Sequence, residues 1–245
     1  MYNYSSFVPD WPVPANVKSI QTTRKGGCSA GPYRGFNLAL HVGDEPEIVA
    51  KNRQQLPHFQ HIHWLEQVHG VKTLLVEAAP LSLTQADGSY TFAPTQVCAV
   101  MTADCLPILL SNRNGDFVAA LHCGWRGLAA GIIKHQLQQL ALPNEGMLAW
   151  LGPAIGPAAF EVGSEVKQAF LQKSTQFETA FNVKSGEKFN ADLYKIAKIQ
   201  LNQLGVMDIF SQHECTYQQA DKYFSYRRDG QTGRQASLIW LDKKA

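Results

Sequence analysis

The feature that most restricts what this chain can become is a set of short apolar segments in its middle. Val97 to Met101, Pro107 to Leu110 and Phe117 to His122 are rich in apolar and β-branched residues, and each is too short for a buried helix. They read as strands buried on both faces. Asn112-Arg113-Asn114-Gly115-Asp116 supplies a hairpin-like turn ahead of Phe117. Asn16 to Thr23 predicts a further strand running into the Lys25-Gly26-Gly27 loop, and Val71 to Val76 another after the His69-Gly70 step. His61 and His63 read as alternating residues of a strand before Trp64.

Helical periodicity is plain in two places. Leu128 to Leu140 places Ile133, Leu137 and Leu140 on one face. Asn190 to Leu204 starts with Asn190 as an N-cap, repeats apolar residues from Leu193 to Leu204, and stops at Gly205. A weaker helix covers Ser164 to about Leu171. Strands and helices mix without regular βαβ alternation, so the expectation is a mixed α/β (α+β) fold and not a Rossmann or barrel architecture. With 45% hydrophobic residues, no repeat and no long linker, the 245 residues are expected to form one domain, residues 1–245.

Composition narrows the function classes. The net charge of +2 and the lack of like-charge blocks imply neither nucleic acid nor an anionic membrane as partner. No apolar run approaches the roughly 18 residues of a membrane span. The first residues lack the basic start and apolar stretch of a secretory signal. Five cysteines without a C-x-x-C pair argue against a disulfide scaffold and for a reducing cytoplasm. A small-molecule partner remains, and monomer and homodimer both stay open.

Three stretches carry reactive residues at probable strand ends beside Gly or Pro. They are Trp64 to Gly70, Thr102 to Pro107 and Leu121 to Gly127. Within them His69, Cys105 and His122 form a donor set that suits zinc and leaves a fourth position open, the mark of a catalytic site. The spacing of 36 and 17 residues matches no local motif, so two core histidines and an inert buried thiol fit it as well.

The chain resembles the bacterial YfiH family, once called laccase-domain or polyphenol oxidase proteins and now described as purine nucleoside phosphorylases. The likeness runs over most of the chain. Thr23 to Ser29, Gly31 to Tyr33, Asn37-Leu38, His41 to Asp44 and Asn52-Arg53 carry it first. Beyond the three reactive stretches, Leu151 to Pro157, Phe160 to Gly163, Asn190 to Leu193, Phe224 to Gly230 and Thr232 to Arg234 complete it. The resemblance implies zinc on His69, Cys105 and His122, with mixed sheets covered by helices in α/β/β/α layers. It also implies phosphorolysis of adenosine, inosine, guanosine and methylthioadenosine, together with adenosine deamination.

Further candidates follow from chemistry. Arginine binds oxyanions through a planar fork, so Arg53, Arg126 and Arg24 are candidate phosphate ligands, each also readable as a structural ion pair. Cys105, Asp104 and Gln67 are candidate catalytic residues. Gln67 shares the face of His69, while Asp104 either accepts a proton or orients a ligand. Trp125 and Phe36 are candidate stacking surfaces. Cys123 departs from the more usual Ala and is expected on the opposite strand face. Copper accepts the same three ligands, which keeps a laccase-like polyphenol oxidase as an alternative. A cysteine hydrolase with Cys105 as nucleophile is another.

Overall fold

A computed structural model describes residues 3–78 and 83–243. Strands and helices are numbered along the chain. Two sheets stack at the centre. The first runs in the order β1 (Tyr4–Phe7), β2 (Val17–Gly26), β16 (Gln235–Leu241), β8 (Val97–Thr102) and β3 (Ile62–His63). The second runs β15 (Asp208–Ser211), β11 (Met147–Leu151), β9 (Leu106–Asn112), β10 (Val118–Cys123), β7 (Gly88–Thr91) and β5 (Thr73–Leu75). Pairing is mostly antiparallel, with β3–β8, β5–β7 and β11–β15 parallel. The fold is therefore one mixed α/β domain, as its sequence predicts.

Strand alternation builds three apolar layers from one set of residues. On β8, Cys98 and Val100 face the second sheet, while Val97, Ala99 and Met101 face outward. On β10, Val118 and Ala120 meet the first sheet, while Ala119, Leu121 and Cys123 meet helices. Each such fully buried aliphatic side chain contributes about 1.5–3 kcal/mol, which is why the strands read as continuous apolar runs.

Helices α2 (Trp125–Ala130), α3 (Ile132–Leu140), α4 (Ser164–Leu171) and α5 (Leu193–Gln203) cover the second sheet. The first sheet is covered by the segment around Phe36, Leu38 and Leu56, beside α1 (Pro46–Arg53). A small sheet of β12 (Glu161–Val162), β14 (Lys188–Ala191) and β13 (Phe181–Ser185), and a pair of β4 (Leu65–Glu66) and β6 (Thr84–Gln85), complete the strands. A short helix, α6 (Tyr226–Asp229), precedes β16.

Two helix expectations need correction. The helix expected from Leu128 is broken, because Gly131 adopts φ +94°, a left-handed conformation that ends α2 and starts α3. The N-cap of α5 is Asp192, whose carboxylate accepts from the Lys195 backbone N–H at 3.0 Å. Asn190 lies instead in β14, paired with Glu161.

Candidate metal centre and cleft

The three reactive stretches meet where strands end. Leaving β8, the chain turns through Ala103-Asp104-Cys105 and enters β9 in the other sheet. In β10, His122 lies opposite Pro107 and Cys123 opposite Leu106, so the chain beyond β10 passes beside Cys105. His69 sits in the turn between β4 and β5 with φ +61°, and Asp104 has φ +96°. Both are strained for residues with a Cβ, at a cost of order 1–3 kcal/mol each.

The ligand atoms of His69, Cys105 and His122 lie within 4.8 Å of one another, with Cys105 Sγ 3.9 Å from His69 Nε2. Tetrahedral zinc with Zn–S near 2.3 Å and Zn–N near 2.0–2.1 Å separates sulfur from nitrogen by about 3.6 Å. A divalent ion therefore fits with small side-chain adjustment. Gly124 makes room for it: a Cβ there would stand 2.9 Å from Cys105 Sγ and 3.2 Å from His69 Cδ2. Among the described residues this is the one cluster of three such ligands.

A buried carboxylate that no local motif announces organises the trio. Asp87, fully buried, accepts from the backbone N–H of His69 at 2.9 Å, of Gly70 at 2.6 Å and of Val68 at 3.3 Å. It also stands 2.8 Å from His122 Nδ1. An ionised carboxylate can only accept, so Nδ1 carries the proton and Nε2 is left to face Cys105 and His69. Burial pushes the Asp87 carboxyl up, but hydrogen bonds from His122 and the Gly70 and His69 amides prevail and hold it below 3.8. Burial likewise opposes the Cys105 thiolate. The His122 charge and hydrogen bonds from both histidines outweigh it and bring the thiol down to about 6. His122 moves the other way: burial lowers it, and Cys105 and Asp87 together raise it. Cys123 packs on the helix side of β10, away from the trio, as alternation predicts.

The trio forms part of the wall of a cleft of about 430 Å³, within the range of small-molecule sites. Gln67 and Asp104 both line it, with their polar atoms already engaged. The Gln67 side chain donates to Met101 O and accepts from Met101 N, both at 2.8 Å, pinning the ligand turn to β8. Asp104 accepts from Thr216 Oγ1 at 2.6 Å and from the Arg227 backbone N–H at 2.7 Å. Arg126 lines the cleft, exposed and stacked 4.5 Å over Trp125, which lines it too.

Arg53 and Arg24 do not line the cleft. Arg53 packs 4.0 Å over Trp64 and donates to Leu38 O, and burial lowers it to about 10. Arg24 lies over Phe224 and donates to Ala220 O. Phe36 is wholly buried against Tyr4. Residues that sequence reasoning quoted or passed over without a role do line the cleft: His41, Phe160, Tyr226, Arg227 and Arg234. For the last three the signal lay in the Phe224–Arg234 segment, whose basic and aromatic composition alone does not say which way it points.

The fold that carries this cleft and its His-Cys-His trio is that of a known class. The chain belongs to the family described as multi-copper polyphenol oxidoreductase laccase, whose family model matches residues 18–242. Curated relatives carry a different name. The chain is 48% identical over 238 residues to "Purine nucleoside phosphorylase YfiH" of Escherichia coli (strain K12), covering 96% of this chain and 98% of that protein. It is 45% identical over 236 residues to a Pseudomonas aeruginosa purine nucleoside phosphorylase, covering 95% and 97%. Among solved structures, a Neisseria meningitidis protein matches with TM-score 0.92 at 45% identity, covering 97% of this chain and 99% of that one. YlmD from Geobacillus stearothermophilus matches with TM-score 0.86 at 29% identity, covering 94% and 93%. Among the described residues, no helix is long and apolar enough to cross a membrane.

Proposed function

We propose that this chain is a zinc-dependent purine nucleoside phosphorylase with adenosine deamination as a side activity. Adenosine, inosine, guanosine and methylthioadenosine would react with phosphate to give the base and ribose 1-phosphate. One observation carries the reading: His69, Cys105 and His122 converge in a cleft whose other walls are cationic and aromatic. The names of relatives covering nearly the whole chain support it. A reducing cytoplasm suits the five free cysteines.

Held by His69, Cys105 and His122, zinc would supply Lewis acidity to the cleft. The protein's own residues do the rest. Asp87 fixes the His122 tautomer and the His69 turn, so that the ligands are in place before substrate enters. Gln67 and Asp104 act by position: one ties the ligand turn to β8, the other ties α6 to the wall of the cleft. The rings of Phe160, Trp125 and Tyr226 offer faces to a purine. Arg126 and its neighbours Arg227 and Arg234 bring positive charge for an oxyanion.

Incubation with adenosine and phosphate should yield adenine and ribose 1-phosphate, and Cys105→Ala should abolish both turnover and stoichiometric zinc. Equal turnover by the wild type and Cys105→Ala would falsify the assignment. A second reading has an observation of its own, since Cys105, His122 and Asp87 form a thiol–imidazole–carboxylate chain like that of a cysteine hydrolase. Activity that survives a strong chelator and disappears with iodoacetamide would favour it. The family's description favours copper, and stoichiometric copper with oxygen consumption on phenols, without nucleoside turnover, would establish that alternative.

A further inference from the structure

The cleft contains donors with nothing to donate to. Arg234 is half-buried and directs only Nη1 to protein, to Thr232 O and Gly233 O, each at 2.9 Å. Those two bonds fix the plane of the guanidinium. Among the described residues its Nε–H and Nη2–H have no acceptor and no carboxylate lies within ion-pair distance; the guanidinium lies 5.9 Å over the Tyr226 ring. The neighbouring arginines are placed differently. Arg227 also bonds through Nη1 alone, to Ala159 O and Glu161 O, but it is exposed, as is Arg126, which lies on Trp125.

A second group without a protein partner lines the same cleft. Thr102 ends β8 opposite Gln235, the residue after Arg234. It lines the cleft, is 1% exposed, and its Oγ1 has no hydrogen-bond partner. A buried hydroxyl without a partner is destabilising, and so are guanidinium N–H groups drawn out of water without an acceptor. Both costs are removed by one ligand: an oxyanion that accepts from the open edge of Arg234 and from Thr102. His41 lines the same cleft and adds a further donor without adding negative charge.

We propose that Arg234, Thr102 and His41 form the subsite for the phosphate cosubstrate, which places phosphate against the end of β8 and not at Arg126. This rests on the phosphorolysis reading for its substrate, and on unpaired donors for its location.

The test is direct binding of inorganic phosphate by calorimetry to the protein as isolated, alongside steady-state kinetics. Arg234→Gln should weaken phosphate binding about tenfold or more, the effect of losing a charge-assisted fork, and raise the KM for phosphate while the KM for nucleoside stays put. Thr102→Val, which keeps the side-chain shape, should weaken phosphate binding a few-fold. Arg126→Gln should have less effect than either. The proposal is overturned if folded Arg234→Gln or Thr102→Val binds phosphate as the wild type does, if Arg126→Gln causes the larger loss, or if the wild type binds no phosphate. Should Arg234→Gln not fold, Thr102→Val decides alone. Adenosine 5′-monophosphate serves as a second ligand: Arg234-dependent binding of it, without binding of inorganic phosphate, would assign the subsite to a phosphorylated ligand instead. Arg234-dependent phosphate binding in a protein that cleaves no nucleoside would refute the phosphorylase reading and leave the subsite standing. Phosphorolysis unaffected by all three substitutions would do the reverse.

Discussion

Two buried aspartates sit within a few residues' reach of the same trio and do opposite work. Asp87 spends its oxygens on the candidate ligands themselves: the His122 imidazole and the amides of the His69 turn. Asp104, directly before Cys105, spends its oxygens on Thr216 and the Arg227 amide, far along the chain. The carboxylate next to the ligand in sequence braces the far wall of the cleft. The one 18 residues from His69 and 35 from His122 braces the His-Cys-His trio. Adjacency in the chain is thus a poor guide to which acid tunes a ligand, because the fold, not the sequence, decides which donors reach a carboxylate.

The comparison can be broken by substitution. Asp87→Asn should weaken zinc binding about 10–100-fold, read by competition with a chromophoric chelator, because the amide no longer fixes the His122 proton. Gly124→Ala should cost about 1–3 kcal/mol, seen as a loss of zinc affinity of about tenfold or more, since its Cβ would press on Cys105 Sγ. Asp104→Asn should lower stability to urea by about 1–3 kcal/mol while leaving zinc affinity nearly unchanged. If the effects of Asp87→Asn and Asp104→Asn on zinc were equal, the division of labour drawn here would be wrong.

Proton linkage sharpens the same contrast at smaller scale. In zinc-free protein the rate of Cys105 alkylation should follow a midpoint near 6, where an ordinary thiol needs about 8.5. Asp87→Asn removes the charge that supports imidazolium on His122, so that midpoint should rise; Asp104→Asn should not raise it. The Asp87 carboxyl is depressed in the fold, so its contribution to stability is present above the ordinary value of 3.8 and is lost as pH falls through the lower folded value. Acid titration of unfolding should therefore show a step in the wild type that is missing in Asp87→Asn.

Much of this was legible in the sequence, and the gaps have physical causes. Strands β8, β9 and β10 follow their apolar runs to within a residue or two, because a strand buried on both faces must be apolar throughout. The candidate ligands stood out as reactive residues at strand ends, and the resemblance supported the same three. Asp87 could not be found that way, since its value lies in partners brought to it by sheet register. Arg24 carries the fork that suits an oxyanion, but it lies over Phe224 and donates to Ala220 O, and the nearby Gly26 and Gly27 serve close backbone approach to Asn3 and Gly35. Arg53 sits on a helix whose face the periodicity does not orient, and it turned toward Trp64.

The left-handed backbone at His69 and Asp104 has a consequence for how an ion comes and goes. Those conformations are held by amides bound to Asp87 and by the Ile155–Asp104 link, none of which needs a cation to form. The emptied protein should therefore keep its shape as a ready-made receptacle, unlike a zinc finger, which collapses when stripped. Cobalt could then be loaded in place of zinc as a coloured reporter, turning the ion from a structural necessity into an exchangeable part.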